Sequence, residues 1–358
     1  MKKIKIDFID FWDLNKEDNA ITNALKKRYN VEISNEPDYI FCSVFGYNHF
    51  KYNKAIKILV LGENLAPDFN LYDYAIGFYD IEFEDRYLKY NILLEKEIYE
   101  IIQKRKTNIK KLDRKFCAFV YGKSVCNPMR ITLFDKLNEY KKVDSGGILK
   151  NNIGGKIGNK KIDKINFQRK YKFVIACENQ QFPRYNTEKI FEAYASNAVP
   201  IYWGDPKIDE IYNEESFINC NKLKDLDEVL KVVKEIDNDD KKYLKMLEAP
   251  IFKDKDYYIK EQEKMEKFLF NIFDKEKENA KKIEFNKNYY SYKIYIKYFI
   301  INWFYDLHLK LLKIRKQIAN KWRKKCEKSI WLCCNNSCRS ISKKILRKEA
   351  FRKKRKTF

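Results

Sequence analysis

Short apolar runs, separated by polar or helix-periodic stretches, set the plan of the first 240 residues. Lys3 to Ile9, Tyr39 to Val44, Ile56 to Leu61 and Tyr74 to Gly77 read as strands, with helical or loop segments such as Lys16 to Tyr29 between them. Strands alternating with helices make a first α/β domain over residues 1–115. A second set opens at Phe116 to Tyr121. It continues through a helix over Arg130 to Tyr140, strands at Lys172 to Cys177, Val199 to Gly204 and Ser216 to Cys220, and a helix from Asp225 to Ile236. Lys104 to Lys115 is a lysine-rich linker, and the Gly-, Asn- and Lys-rich stretch Asn151 to Lys164 reads as a mobile surface loop near the cleft.

The stretch from Cys177 to Pro206 concentrates polar chemistry between two of these strands. Ile190, Ala193 and Tyr194 fall on one helical face, Thr187 is a plausible N-cap, and Pro200 stands at a strand entry, where proline is best tolerated. Strand, polar loop, helix and strand form a βαβ unit, and the helix N-terminus in such a unit is where phosphates bind. The pattern alone equally fits an ordinary βαβ crossover.

The letters themselves go further. Cys177-Glu178-Asn179, Tyr185-Asn186-Thr187-Glu188-Lys189 and Val199 to Gly204 resemble, in order and spacing, the signature of the bacterial α1,3-fucosyltransferases of glycosyltransferase family 10, the Helicobacter/Campylobacter type. Cys177 stands where that family usually has phenylalanine, a change expected to affect packing more than chemistry. Upstream, Gly62-Glu63-Asn64 and the run Pro67 to Phe78 are similar to a second family segment; Asn127 to Arg130, Asp144 to Gly147 and Asn151 to Gly154 carry a third. The resemblance covers residues 1–250 or so. It implies an α/β fold of the GT-B type, two Rossmann-like domains facing a cleft. Residues 1–115 would bind the acceptor, 116–280 would bind GDP-fucose, and 281–358 would form a basic amphipathic helical tail.

Charge changes the picture only in the tail. The net charge is +23, but residues 281–358 hold 24 Lys+Arg against 4 Asp+Glu, which leaves the body near +3. A nucleic-acid role would need basic residues on the folded body, so none is expected. Ile300, Phe304, Leu307, Leu311, Ile314 and Ile318 recur at helical spacing with Trp303 and Trp322 beside them, and lysines and arginines fill much of the remainder. No charge-free run there approaches the roughly 20 residues that span a bilayer. The expectation is a helix lying on an anionic membrane surface, aided by the basic stretch Lys343 to Lys356. Cys326, Cys333, Cys334 and Cys338 lack the spacing of a zinc site. The N-terminus is broken by Asp7, Asp10 and Asp13, so no secretory segment is expected; the expected location is cytoplasmic, peripheral to the inner membrane.

Transfer of fucose needs a carboxylate to take a proton from the acceptor hydroxyl and positive charge beside the leaving diphosphate. In an inverting single displacement the base faces the nucleotide from the other domain. Glu63, after a buried strand of the first domain, matches the residue proposed as general base in the bacterial enzymes. Glu178 is the rival, but its position suits organising the donor loop. Arg130, at a helix start, and Lys189, in the first turn of its helix, are expected at the diphosphate. By resemblance, Glu188 bonds donor sugar hydroxyls, Tyr185 contacts phosphate or fucose, and Asn179 shares the pocket. Asp237-Asn238-Asp239-Asp240 is the nearest thing to a metal-binding DxD and reads as a turn and cap. No cofactor is expected to be required, with divalent metal at most stimulatory. Acceptor candidates in the first domain are Trp12, Phe45, Tyr47 and Phe78, any of which is equally a core residue. The family precedent for an acceptor is the N-acetylglucosamine 3-OH of N-acetyllactosamine, giving Lewis x on surface lipopolysaccharide. An α1,4 linkage, another acceptor, or a non-catalytic membrane-binding protein retaining the fold are the alternatives.

Overall fold

The structure is a computed structural model; it describes residues 1–91, 95–104, 113–122 and 127–283, with fourteen further positions between 296 and 317. The chain divides into one compact unit over residues 1–288 and a second over 289–358. Among the described residues of the first unit, the strands form two parallel sheets.

The first sheet holds β1 (Lys3–Ile9), β2 (Asn30–Ile33), β3 (Tyr39–Cys42), β4 (Ile56–Val60), β5 (Tyr74–Gly77) and β6 (Tyr87–Lys89), in the order β2-β1-β3-β4-β5-β6. Helix α1 (Ala20–Lys26) starts at Asn19, whose side chain accepts from the Ile21 and Thr22 N–H groups, and buries Ile21, Ala24 and Leu25. Helix α2 (Lys96–Gln103) leads toward the second sheet, in which β7 (Lys115–Phe119), β8 (Val143–Ser145), β9 (Tyr171–Cys177), β10 (Val199–Trp203) and β11 (Ile218–Asn219) run in the order β11-β10-β9-β7-β8. Helices α3 (Met129–Asn138), α4 (Lys161–Gln168), α5 (Glu188–Ala195), α6 (Leu226–Asp237) and α7 (Asp240–Glu248) cover it; α8 (Tyr257–Phe273) and the short α9 (Lys277–Ala280) follow.

Both faces of the second sheet are buried, which is why β10, and β9 apart from Lys172, are apolar rather than alternating. Phe173, Ile175, Val199 and Ile201 pack with Leu133 of α3 and Val233 of α6, whereas Val174, Ala176 and Tyr202 pack with Ile165 of α4 and Ile190 of α5. The expected 116–280 segment is not confined to this sheet. Tyr258 of α8 joins its core, but Met265, Leu269, Ile272 and Phe273 of the same helix fill the core of the first sheet against Phe41 and Tyr74. Buried Asp73 then anchors the chain as it leaves α9, accepting the Lys282 and Ile283 N–H groups at 2.7 and 2.8 Å.

Several expectations shift in detail. The loop expected over 151–164 gives way to α4 from Lys161, and α5 is buried all round, not on one face. The acidic run at 237–240 is a cap: Asp239 accepts from the Lys241 and Lys242 N–H groups at the start of α7, and buried Asp237 accepts from Lys172. The second unit's described positions are helical, and Phe299, Ile300, Trp303, Phe304, Leu307, Leu311 and Ile314 there are exposed. Trp322, the four clustered cysteines and Lys343 to Lys356 lie outside the described residues.

His49 is buried after β3, with Phe50 and Tyr72 against its ring, and its Nδ1 lies 4.0 Å from Asp10, beyond hydrogen-bond reach. Burial, then the nearby Lys57 charge, lowers its pKa from 6.5 to about 3. The unfolded chain therefore takes up a proton near pH 6.5 that the folded chain refuses, so stability falls as pH drops from 6.5 toward 3. Denaturant melts at pH 7.5 and 5.5 should show a loss of about 1.4 kcal/mol from this group, and the difference should vanish in His49→Gln.

Candidate active site

The order of each sheet reverses once. In the second sheet the reversal lies between β7 and β9, because β8 pairs on one side of β7 and β9 on the other. The chain after β7 enters α3 on one face and the chain after β9 enters α5 on the opposite face, so a crevice opens between the two loops at the carboxyl ends of these strands, where such folds bind ligands.

Glu178, the residue after β9, is completely buried. Its carboxylate accepts the Thr187 N–H and hydroxyl, both at 2.7 Å, and the Lys189 ammonium at 3.0 Å. Burial raises its pKa, and Lys189 opposes that rise. Thr187 thus spends its hydroxyl on Glu178 rather than on capping α5, and the N-terminus expected to receive a phosphate already carries an internal anion. Gly204, after β10 with φ +154°, packs its α-carbon on the Glu178 side chain where a Cβ would collide with it.

Lys189 also lies 3.3 Å from Glu188, so one ammonium sits between two carboxylates. Burial would raise the Glu188 carboxyl, but Lys189 and then Lys164 outweigh it and hold it down at about 2. Arg130 is in the opposite situation. In the first turn of α3 it is 3% exposed, stacks over the Tyr121 ring at 4.1 Å, and donates from Nη2 to the Cys177 carbonyl at 2.9 Å and the Asn179 side chain at 2.7 Å. Its Nε is buried without a hydrogen-bond partner, and among the described residues no carboxylate pairs with it. A buried guanidinium left electrically uncompensated is costly, and an anionic ligand in the crevice relieves it.

Glu63 follows β4 in the first sheet and reaches across to this loop. The buried Tyr185 hydroxyl donates to its Oε2 at 3.4 Å, and Phe78 meets the Tyr185 ring edge-on. Asn64 donates to Gln180 at 2.7 Å, and Asn91, from the first half, donates to the Asn186 carbonyl and side chain at 2.9 and 3.0 Å. Glu63, Tyr185, Glu178, Asn179, Glu188, Lys189 and Arg130 therefore form one constellation. Of the aromatics considered for the first half, Phe78 is buried, whereas Trp12, Phe45 and Tyr47 are exposed.

Asp205 escaped the sequence reading. Fully buried, it accepts the Arg184 N–H at 2.7 Å and the Lys207 N–H at 2.8 Å on Oδ1, and the Asn186 side chain at 3.1 Å on Oδ2. It thereby grips both neighbours of Tyr185, and Arg184 is held at φ +71°, a strained conformation for a residue with a side chain. The available signal was a Gly-Asp pair at a strand end, which reads as a turn. Among the described residues, no group of three or more His, Cys, Asp or Glu could hold a metal ion.

Asp205→Asn keeps the shape but turns a donor toward the Asn186 donor. Faster amide exchange over residues 180–187 and a stability loss of about 1–3 kcal/mol are expected, read by exchange mass spectrometry and denaturant melts.

Two family models match the chain in order. The α-(1,3)-fucosyltransferase FucT N-terminal domain matches residues 6–94, and the C-terminal part of glycosyltransferase family 10 (fucosyltransferase) matches residues 109–270. The chain is similar to an α-(1,3)-fucosyltransferase FucT of Helicobacter pylori, 30% identical over 263 residues that cover 62% of this chain and 54% of that protein. The chain thus spans about half the length of that curated relative. It is also similar to a crystal structure of an α1,3-fucosyltransferase, with TM-score 0.64 at 27% identity over 77% of this chain and 91% of that one. For an α1,3-fucosyltransferase crystallised with GDP-fucose the TM-score is 0.63 at 25% identity, over 77% and 92%.

Proposed function

The chain belongs to glycosyltransferase family 10, the fucosyltransferases, with a GT-B type fold, and from that premise we propose that it transfers L-fucose from GDP-fucose to a glycan hydroxyl with inversion. The observation that carries this reading is a buried, uncompensated Arg130 at the switch point of the second sheet, together with Glu63, which meets the Tyr185 hydroxyl of the same loop region from the first half. Arg130 offers its charge to the diphosphate, while Lys189, balanced by Glu178 and Glu188, fixes the loop that receives the sugar. Glu188, partly exposed and ionised, accepts from sugar hydroxyls.

In the transfer the Glu63 carboxylate takes the acceptor proton, and the freed oxygen attacks the anomeric carbon of fucose. The bond from that carbon to the β-phosphate oxygen breaks, and GDP departs with the electron pair. The Tyr185 hydroxyl orients the carboxylate before the acceptor arrives. The acceptor read best by the family precedent is the N-acetylglucosamine 3-OH of N-acetyllactosamine, as in Lewis x on lipopolysaccharide.

GDP release from GDP-fucose should depend on N-acetyllactosamine and survive EDTA, and Glu63→Gln should lower it by roughly 10²–10⁴-fold. Release without acceptor dependence, or full activity in Glu63→Gln, would overturn the assignment.

For location, we propose that the basic, exposed helical positions between 296 and 317 lie on an anionic membrane surface. Among the described residues no helix is long and apolar enough to cross a membrane. The full chain should sediment with vesicles containing phosphatidylglycerol and not with neutral ones, and a chain ending at residue 288 should remain in the supernatant with both.

A further inference from the structure

The first sheet has its own reversal point, between β1 and β3. Strand β2 pairs on one side of β1 and β3 on the other. The chain after β1 goes to α1 on the face that packs with α8, while the chain after β3 goes to a 3-10 turn, Asn48–Lys51, whose residues lie outside that core cluster. By the same rule that locates the Arg130 crevice, a ligand belongs between these two loops.

What stands there is a pair of aromatic rings. Trp12, from the loop after β1, and Phe45, from the loop after β3, stack with ring centroids 4.2 Å apart and planes 18° from parallel. They are nonetheless 67% and 42% exposed, so folding has set them in place without removing them from water. Both loops are shaped to hold this arrangement. Asp10 and Asp13 flank the Trp12 turn at φ +65° and +49°, a conformation aspartate tolerates better than most residues. The Asp10 carboxylate accepts the Asn48 N–H at 2.9 Å and its side-chain amide at 2.5 Å, and Ser43 donates to the Asp10 carbonyl, which ties one loop to the other. Gly46 lies so close to the Asp10 carboxyl that any Cβ there would collide with it.

The register relates this platform to Glu63. Ile9, Cys42 and Leu59 are neighbours across β1, β3 and β4, and Trp12, Phe45 and Glu63 lie three, three and four residues beyond them on the same edge. Two strand spacings amount to roughly 10 Å, the scale of a disaccharide. The apolar C–H face of a pyranose complements an exposed indole, whereas the Asp10 and Asp13 carboxylates around it disfavour an anionic ring.

We propose that Trp12 and Phe45 form an acceptor subsite that stacks a neutral pyranose one unit removed from the hydroxyl deprotonated by Glu63. This deepens the fucosyl-transfer reading and rests on it. The subsite gives the enzyme its preference for a chain over a single sugar.

The test uses the full chain with Trp12→Ala, Trp12→Tyr and Phe45→Ala, and compares N-acetyllactosamine with N-acetylglucosamine as acceptors. Trp12→Ala should raise KM for the disaccharide about tenfold, equivalent to about 1.4 kcal/mol, with kcat at saturation changed far less. Trp12→Tyr should recover most of the loss, and the monosaccharide should not register either change. An equal effect on both acceptors, or none on the disaccharide, overturns the subsite. Tryptophan fluorescence of wild type and Trp12→Phe, titrated with N-acetyllactosamine in the absence of any donor, separates the two readings. A Trp12-dependent signal without turnover would sustain the subsite and remove the transfer reading; turnover without that signal would do the reverse.

Discussion

A carboxylate with no access to water is the constraint from which the loop between β9 and β10 is built. Burying a carboxylate is costly, and among the described residues Glu178 offsets part of that cost through the Thr187 N–H, the Thr187 hydroxyl and Lys189, while burial still raises its pKa. Each of those partners is thereby fixed. Thr187 must start α5 where it does, Lys189 must point inward, and Gly204 must remain without a side chain so that β10 can close over the carboxylate. The Glu178 N–H donates to the Trp203 carbonyl, so one residue clamps the ends of β9 and β10 and the start of α5 together. The loop between these fixed points has little freedom left, and Asp205 removes most of what remains by holding Arg184 and Asn186.

On the proposed reading, this use of charge gives the two cations different tasks. A lysine between two carboxylates at 3.0 and 3.3 Å is an internal counter-ion whose charge is already engaged within the protein. Arg130 is bound instead by a carbonyl and an amide, which satisfy hydrogen bonds without cancelling charge. A planar guanidinium suits that position because Nη2 can brace the loop while the rest of the fork keeps its charge for a ligand.

Most strands were legible from their apolar pattern, alternating in β1 and nearly continuous in β5, β9 and β10: β1 and β5 match their expected limits, and β9 and β10 differ by a residue. Edge strands β2 and β6 were not, since their half-exposed residues Asn30 to Ile33 and Tyr87 to Lys89 carry no such pattern. The return of α8 to the first sheet was hidden for another reason. Its amphipathic spacing shows that a face is buried, but says nothing of which sheet buries it. Glu63, Glu178 and Lys189 could be picked out because short motifs carry them. Asp205 could not, because its importance lies in contacts to residues 19 and 21 positions away, which a local reading does not connect. Thr187 misled for a related reason: its side chain fits a cap, but a buried carboxylate nine residues earlier competes for its hydroxyl and wins.

Two sheets that each reverse once supply two crevices, and a reaction between two bound molecules needs both. On the proposed reading, the crevice that holds Arg130 takes the nucleotide diphosphate and the one that holds aromatic surface takes a neutral glycan. What joins them is the loop from Gln180 to Asn186, which touches the first half at Asn64, Glu63, Phe78 and Asn91. Glu63 follows β4, the strand next to the aromatic crevice, and meets that loop at Tyr185, so on the proposed reading its carboxylate faces a hydroxyl from one side and a sugar from the other. A base placed at Glu178 would lie beneath the loop, enclosed by the Thr187 and Lys189 groups bonded to it. On the reading proposed above, burial sets the two carboxylates apart: Glu178 is completely enclosed, whereas Glu63 meets the loop at the Tyr185 hydroxyl.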